Sequence, residues 1–504
     1  MAENISMLRF VLALVAFIWY LTVLALAYSG FFEIFSKFCN PRKQRSNGVP
    51  RGPQAGVSII RPLKGVEPEM SSCLESLFVQ DYPKDNFEIL FCVDDPNDEC
   101  IPIVQTLIAK YPDVDALILI YEGYDPVKQY LDEHYGPNPK VNNLAKGFVA
   151  AKYDIVWVMD SNVWGNLQIL RKSVDLLLGN LDNGRRMKPS GRRIALVHHT
   201  PLAMSIADTE YSLSPLNTGA SEMFSNKRVL KKFGARLDEM FLLSSHAKFY
   251  VGFNKVSVAP CVNGKLNMYR KLDIDHAVLL IPHRAHELEF FKSADVIDDA
   301  KYFSLLGPGH AIKFFLRYIG EDNMIGICLW ENCHGRTGMT GDVVVQPLSG
   351  EDNSIKDYIT RRIRWLRVRK YMVLAATLLE PLTELIVSGI YGNFGISNLF
   401  FDGSFKWWIF ALHMLVWIST DIVQYRQLVL LTVESAELDS QHKPWWLERR
   451  HLPALNRSFV NWFSAWLGRE LLALPIWLGA MMGHEIDWRG RPFMLKKDLT
   501  AEEL

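Results

Sequence analysis

Two arginines three residues apart, Arg361 and Arg364, are followed at once by Trp365, and the chain turns apolar just beyond them. On a helix that spacing puts both guanidiniums near one face. Planar guanidiniums grip phosphate oxygens in pairs, and an indole offers a flat face to a sugar or base. The same residues also suit a basic helix lying against anionic headgroups. Five further sites carry candidate chemistry. Asp95 ends the apolar run Phe87 to Val93, where a carboxylate can accept hydrogen bonds from a ribose or a uracil N–H, or close an Asx turn with Pro96. Asp160-Ser161-Asn162 follows the apolar run Ile155 to Met159, and a hard carboxylate there can hold Mg²⁺ or Mn²⁺ against a diphosphate, or cap a helix. Lys140 and Asn142 lie in Asn138-Pro139-Lys140-Val141-Asn142-Asn143, where the ammonium can meet a phosphate and the amides a nucleotide or a helix N-terminus. Glu321-Asp322 follows the aromatic stretch Phe314 to Tyr318, surroundings that raise a carboxylate's proton affinity and suit a general base; a helix-dipole role competes. His198, after the apolar run Ile194 to Val197, can line a site at a strand end or be a hydrogen-bonded core histidine.

These residues need a scaffold that collects them. Val57 to Pro62, Phe87 to Val93, Ala116 to Tyr121 and Asp154 to Met159 read as buried strands. Helices are expected at Glu69 to Val79, Ile101 to Lys110 and Asn143 to Ala151. Such alternation predicts an α/β domain with a mostly parallel sheet covered on both faces, and ligands bind beyond the carboxyl ends of its strands, where Asp95 and Asp160 fall. Residues 180–193 and 273–308 read as insertions, the second irregular and charge-mixed. Dinucleotide, P-loop and nucleophile-elbow motifs are absent from the sequence.

The 55 basic and 55 acidic residues cancel, which argues against a nucleic-acid partner. The 14 tryptophans and 49% hydrophobic content lean toward a membrane protein with interfacial anchors. Phe10 to Phe32 carries no charge and is long enough to span a bilayer. Lys37, Arg42, Lys43 and Arg45 follow it, placing residue 40 onward in the cytosol; a cleaved signal peptide ending near Ala27 is the competing reading. Of three later apolar stretches, Tyr371 to Ile390 and Phe459 to Met482 are interrupted by charges and Trp407 to Thr420 holds His413. Arg489, Arg491, Lys496 and Lys497 favour a cytosolic C-terminal end, which three full crossings would leave outside, so one stretch is expected to be re-entrant or interfacial. Seven scattered cysteines without a CxxC pair disfavour a disulfide scaffold or structural zinc. The expected division is a membrane anchor over 1–45, a cytosolic catalytic domain over 46–368 and a membrane and interfacial region over 369–504.

In order, Arg61-Pro62-Leu63-Lys64-Gly65, Asp81-Tyr82-Pro83-Lys84, Asn138 to Leu144, Asp160-Ser161, Val197-His198, Gly320-Glu321-Asp322, Arg361-x-x-Arg364-Trp365 and Trp488-Arg489-Gly490-Arg491 resemble the ceramide glucosyltransferase family of membrane glycosyltransferases with a GT-A domain. The resemblance implies inverting transfer of glucose from UDP-glucose to the primary hydroxyl of ceramide, at the cytosolic face of Golgi or ER membranes. By the same resemblance Asp95 binds the uridine side, Asp160 holds a divalent cation (Mg²⁺ or Mn²⁺) on the diphosphate, and Asp322 is the base. Arg361, Arg364 and Trp365 then close over the diphosphate and acceptor, and His198 lines the acceptor pocket. Asn162 stands where a strict DxD motif has its second carboxylate. A processive polysaccharide synthase of the same superfamily and a non-catalytic lipid-binding protein are the alternatives.

Overall fold

The computed structural model describes residues 7–38, 54–120, 136–179, 192–206, 226–288, 290–349, 353–488, 491–496 and 499–504. The expected linker at 46–55 and the first expected insertion lie outside these residues, except for Gln54, Ala55, Arg192 and Arg193.

Strands β1 (Val57–Leu63), β2 (Phe87–Val93), β3 (Asp115–Ile120) and β4 (Ile155–Met159) pair in parallel in the order β3-β2-β1-β4. Continuous apolar runs form them because both faces are covered. Val57, Ile59 and Leu63 face Met70, Leu74 and Phe78, whereas Ile60, Leu90 and Cys92 face Val141, Leu144 and Phe148. The sheet continues through β7 (Leu266–Arg270), β6 (Arg193–Ser205), β8 (Gly335–Leu348) and the short β5 (Trp164–Gly165). Here the register becomes mixed: β7 runs antiparallel to β4 and β6, while β6 and β8 are parallel. The chain is therefore a mixed α/β protein with a mostly parallel first half, as its strand pattern predicts.

Residues 273–308 are not irregular. Helices Lys271–Arg284 and Ala294–Leu305 occupy most of the segment. Ile274, Ala277, Val278 and Ile281 are buried at the spacing of one helical face, and the charges between them lie on the other.

Among the described residues two helices, Met7–Lys37 and Trp407–Ala436, are long and apolar enough to cross a membrane. A third apolar segment is broken: Leu374–Thr383 and Leu385–Phe400 meet at 80°, the geometry of a broken span or a re-entrant loop. Glu384 stands at that break and accepts from Arg469 of helix Phe459–Met481 at 3.1 Å, and Arg469 also pairs with Glu470. Three of the charges that interrupt the apolar stretches, Glu384, Arg469 and Glu470, thus pair with one another inside the helix bundle. Helix Ala247–Val256 ties this bundle to the sheet domain. A Cβ at Gly30 of the first helix would lie 1.9 Å from the carbonyl oxygen of Lys248, so the two backbones touch there. The Lys248 ammonium is fully buried against Asp421 at 2.6 Å, and Asp421 also accepts from the Trp466 indole at 2.9 Å.

Candidate active site

The site forms at the carboxyl end of β4. Asn138 begins it by capping helix Pro139–Ala150: its Oδ1 accepts from the N–H groups of Lys140 (3.0 Å) and Val141 (3.2 Å). Pro139 at the first helical position needs no partner for its nitrogen. The cap is thus Asn138, where the sequence offered Asn142 or Asn143. The Asn138 amide N–H₂ reaches the other way, to Tyr318 O at 2.7 Å and Glu321 Oε2 at 2.9 Å, and so fixes helix Glu321–Asn332 against helix Pro139–Ala150.

Lys140 is the centre of the cluster. Its Nζ lies 2.9 Å from Glu321 Oε1, 3.2 Å from Asp160 Oδ1, 3.4 Å from Asp322 Oδ2 and 3.2 Å from the Gly264 carbonyl. Burial alone would lower its pKa, but the three carboxylates outweigh it and hold the ammonium charged, well above the ordinary lysine range. Asp160 has an ammonium on each oxygen, Lys140 on Oδ1 and Lys265 on Oδ2 at 3.1 Å. Burial pushes its pKa up, the two lysines pull it below the usual carboxylate range, and the lysines win. Asp322 Oδ1 accepts from the Asn267 amide of β7 at 2.7 Å. Its Oδ2 is so close to the loop before β7 that a Cβ at Gly264 would stand 2.1 Å away. The raised proton affinity expected near the aromatic stretch falls on Glu321: burial first, then the charge of Asp322, push it up to about 7.

Asp160, Lys140 and Asp322, separated by up to 182 residues, therefore meet around one nitrogen. The other expected residues have partners of their own. Asp95 is exposed and accepts from the N–H of Asn97 at 2.8 Å, closing its own turn. Asn142 turns its amide to the Gly136 carbonyl at 3.0 Å. On helix Ile355–Met372, Arg361 pairs with Asp238 and donates to Asn353 Oδ1 at 2.9 Å, whereas Arg364 reaches the Asp487 carbonyl at 3.4 Å near the C-terminal strands. Trp365 packs against the apolar cluster around helix Asn226–Phe241, with the Arg362 guanidinium 5.4 Å from its ring centre and 3.5 Å from that of Phe241.

His198 sits in the middle of β6 and is wholly buried. The Asn254 amide N–H₂ is committed to the carbonyls of Tyr250 and Cys261, so its Oδ1 is the acceptor for His198 Nε2–H at 3.1 Å. Nδ1 then accepts from the Tyr250 hydroxyl. Burial, and next the neighbouring His199, lower the imidazole's pKa to about 3, so it is neutral and doubly hydrogen-bonded.

Sequence reasoning passed over Lys265, Asn267 and Asp238. Asp238 holds Arg361 of the arginine helix: burial pushes its carboxyl up to about 6 against the opposing charges of Arg361, Arg362 and Lys265. The available signal for Lys265 was the Asn263-Gly264 turn dipeptide directly before an apolar strand.

A divalent cation fits Asp160 if the donor completes its shell. Among the described residues no three His, Cys, Asp or Glu side chains gather to hold an ion by themselves. Mg²⁺ and Mn²⁺ accept one hard protein carboxylate together with phosphate oxygens and water. Asn162 donates to Glu67 Oε2 at 3.2 Å.

The family model described as glycosyl transferase family 21 matches residues 10–205 and 309–501. A ceramide glucosyltransferase of Candida albicans is 52% identical over 100% of this chain and 99% of its own length. One from Komagataella phaffii is 47% identical, covering 98% and 92%, and one from Gibberella zeae 33% identical, covering 88% and 85%. A solved mannosyltransferase from Pyrobaculum calidifontis aligns over 90% of this chain and 97% of its own, at 13% identity and a TM-score of 0.31. With a cluster of this chemistry at the carboxyl edge of its sheet, the chain belongs to glycosyl transferase family 21, an enzyme family of glycosyltransferases.

Proposed function

We propose that this enzyme moves glucose from UDP-glucose to the primary hydroxyl of ceramide, with inversion, at the cytosolic face of a Golgi or ER membrane. The observation that carries the reading is the convergence of Asp160, Glu321 and Asp322 on Lys140, in a chain that shares 52% identity with a ceramide glucosyltransferase. In this reading Asp322 takes the proton of the ceramide hydroxyl. The freed oxygen attacks the anomeric carbon, and the bond to the β-phosphate oxygen breaks with its electron pair leaving on UDP. A single displacement needs one base and no protein nucleophile. Asp160 holds the cation, which when bound neutralises charge growing on the diphosphate. Lys140 anchors the base-bearing helix to Asp160 so that both carboxylates keep their places. Asp95 serves the uridine side, Arg361, Arg364 and Trp365 cover the diphosphate and acceptor, and His198 supports the acceptor wall through Tyr250. The arginines need a rearrangement from their present partners to reach the donor.

The test is labelled UDP-glucose with short-chain ceramide and purified protein in detergent. The reading expects labelled glucosylceramide, lost by about 10²-fold or more in Asp322→Asn while UDP binding persists. A soluble polymer in place of a glycolipid favours a polysaccharide synthase, and transfer unaffected by Asp322→Asn removes the proposed base.

A further inference from the structure

We propose that Lys265 is a diphosphate-binding residue that shares Asp160 with the divalent cation: it pairs with the carboxylate before the donor arrives and turns onto the diphosphate when the cation takes its place. This rests on the reading of the cluster as the donor diphosphate site.

Strands β4 and β7 run antiparallel with Met159 opposite Leu266, so residues 160 and 265 face each other at the strand ends where ligands bind. The Asp160 N–H donates to the Lys265 carbonyl at 3.1 Å, which fixes the backbone from which the lysine projects. Both carboxylate oxygens of Asp160 carry an ammonium, so an incoming cation must displace one of them. The two lysines differ in how firmly they are held. Lys140 is anchored by Glu321, Asp322 and the Gly264 carbonyl besides Asp160. Lys265 is held by Asp160 alone among the described residues, and its ammonium has two further N–H donors to offer. Lys265 is the one that gives way, and its four-carbon stem lets the charge move while the backbone stays in place.

The charge balance gives the exchange a direction. Two ammoniums face three carboxylates in the contact cluster, so it has no positive surplus with which to attract a diphosphate. A divalent ion on Asp160 reverses that sign and frees the Lys265 charge at the same moment.

Equilibrium binding of UDP to the purified full-length enzyme, in EDTA and in Mn²⁺, tests this without turnover. Lys265→Met is expected to bind UDP about tenfold more weakly than wild type in saturating Mn²⁺, the equivalent of one charge-assisted contact, and close to wild type in EDTA, where the lysine stays on Asp160. Its Mn²⁺ enhancement is expected to set in at lower ion concentration than wild type needs, because no ammonium competes for the carboxylate. Asp160→Asn, close to isosteric, is expected to release Lys265: UDP binding in EDTA tightens by about threefold, and the Mn²⁺ enhancement disappears. Adding Lys265→Met to Asp160→Asn is expected to cancel that gain. Wild-type affinity of Lys265→Met in saturating Mn²⁺, or a gain in Asp160→Asn that survives the second substitution, overturns the proposal and leaves Lys265 a structural ion pair. Should Lys265→Met fail to fold, Asp160→Asn decides alone, since an unchanged or weakened affinity in EDTA contradicts the release. Wild-type protein that binds no UDP even with Mn²⁺ overturns the reading of the site as well.

Discussion

Replacing Lys140 by methionine removes the one cation shared by three carboxylates and keeps the aliphatic stem. The ammonium sits 2.9, 3.2 and 3.4 Å from Glu321, Asp160 and Asp322. At an effective dielectric near 20, each contact of about 3 Å corresponds to roughly 5 kcal/mol of attraction before desolvation. Net of desolvation, breaking a buried pair from one side destabilises a protein by about 3 kcal/mol or somewhat more, because the orphaned charges stay behind. The cost depends on pH. The pKa of Glu321 is raised in the fold to about 7, so the stability it contributes is complete at acid pH and is lost as pH rises through about 7. Without Lys140 that carboxyl holds its proton more strongly still, so the deficit of Lys140→Met grows above pH 7 and narrows below it. Thermal unfolding followed by tryptophan fluorescence in detergent, at pH 8 and pH 5.5, reads this directly. The midpoint is expected to drop by several degrees at pH 8 and by less at pH 5.5. An unchanged midpoint at pH 8, or one lowered equally at both pH values, refutes the assignment of Lys140 as the electrostatic centre.

Glu321→Gln is expected to remove an inflection near pH 7 from kcat/KM for the donor. Ionisation of the wild-type carboxyl adds negative charge beside Asp322, so the wild-type value rises through that pH; an inflection that persists in the variant assigns it to another group. Gly264→Ala places a methyl 2.1 Å from Asp322 Oδ2 and moves the carboxylate, with kcat expected to fall by about 10²-fold and KM for the donor to change little. Normal kcat in that variant removes the link between the loop before β7 and the base.

The legible parts of this chain are those where one local pattern determines the outcome. Unbroken apolar runs mark β1, β2 and β4 as doubly covered strands, and the residue that follows β4, Asp160, lands in the cluster for that reason. Lys140 and Asp322 are visible as residue types in suggestive places, but their meeting point is a tertiary fact. Lys265 escaped notice because a carboxylate search looks for acids, whereas the cluster is held by cations reaching it from the first turn of helix Pro139–Ala150 and from the loop before β7. Arg361 and Arg364 share a helix face by spacing, but Asp238 and Asp487 draw them apart, and neither partner is local in sequence. His198 reads as a strand-end residue only if β6 stops there; the strand runs on to Ser205, so the imidazole becomes a core hydrogen-bonding group. The helical period at Ile274, Ala277, Val278 and Ile281 was masked by the charges between them.

The central claim is that a nucleotide diphosphate binds where Asp160, Lys140 and Lys265 meet. A cryo-EM map of the purified enzyme with UDP and Mn²⁺ tests it most directly. The account predicts ion density on the Asp160 carboxylate with the two phosphates beside it and the Lys265 side chain turned toward them. UDP density on another face of the protein, with both ammoniums still on Asp160, contradicts it.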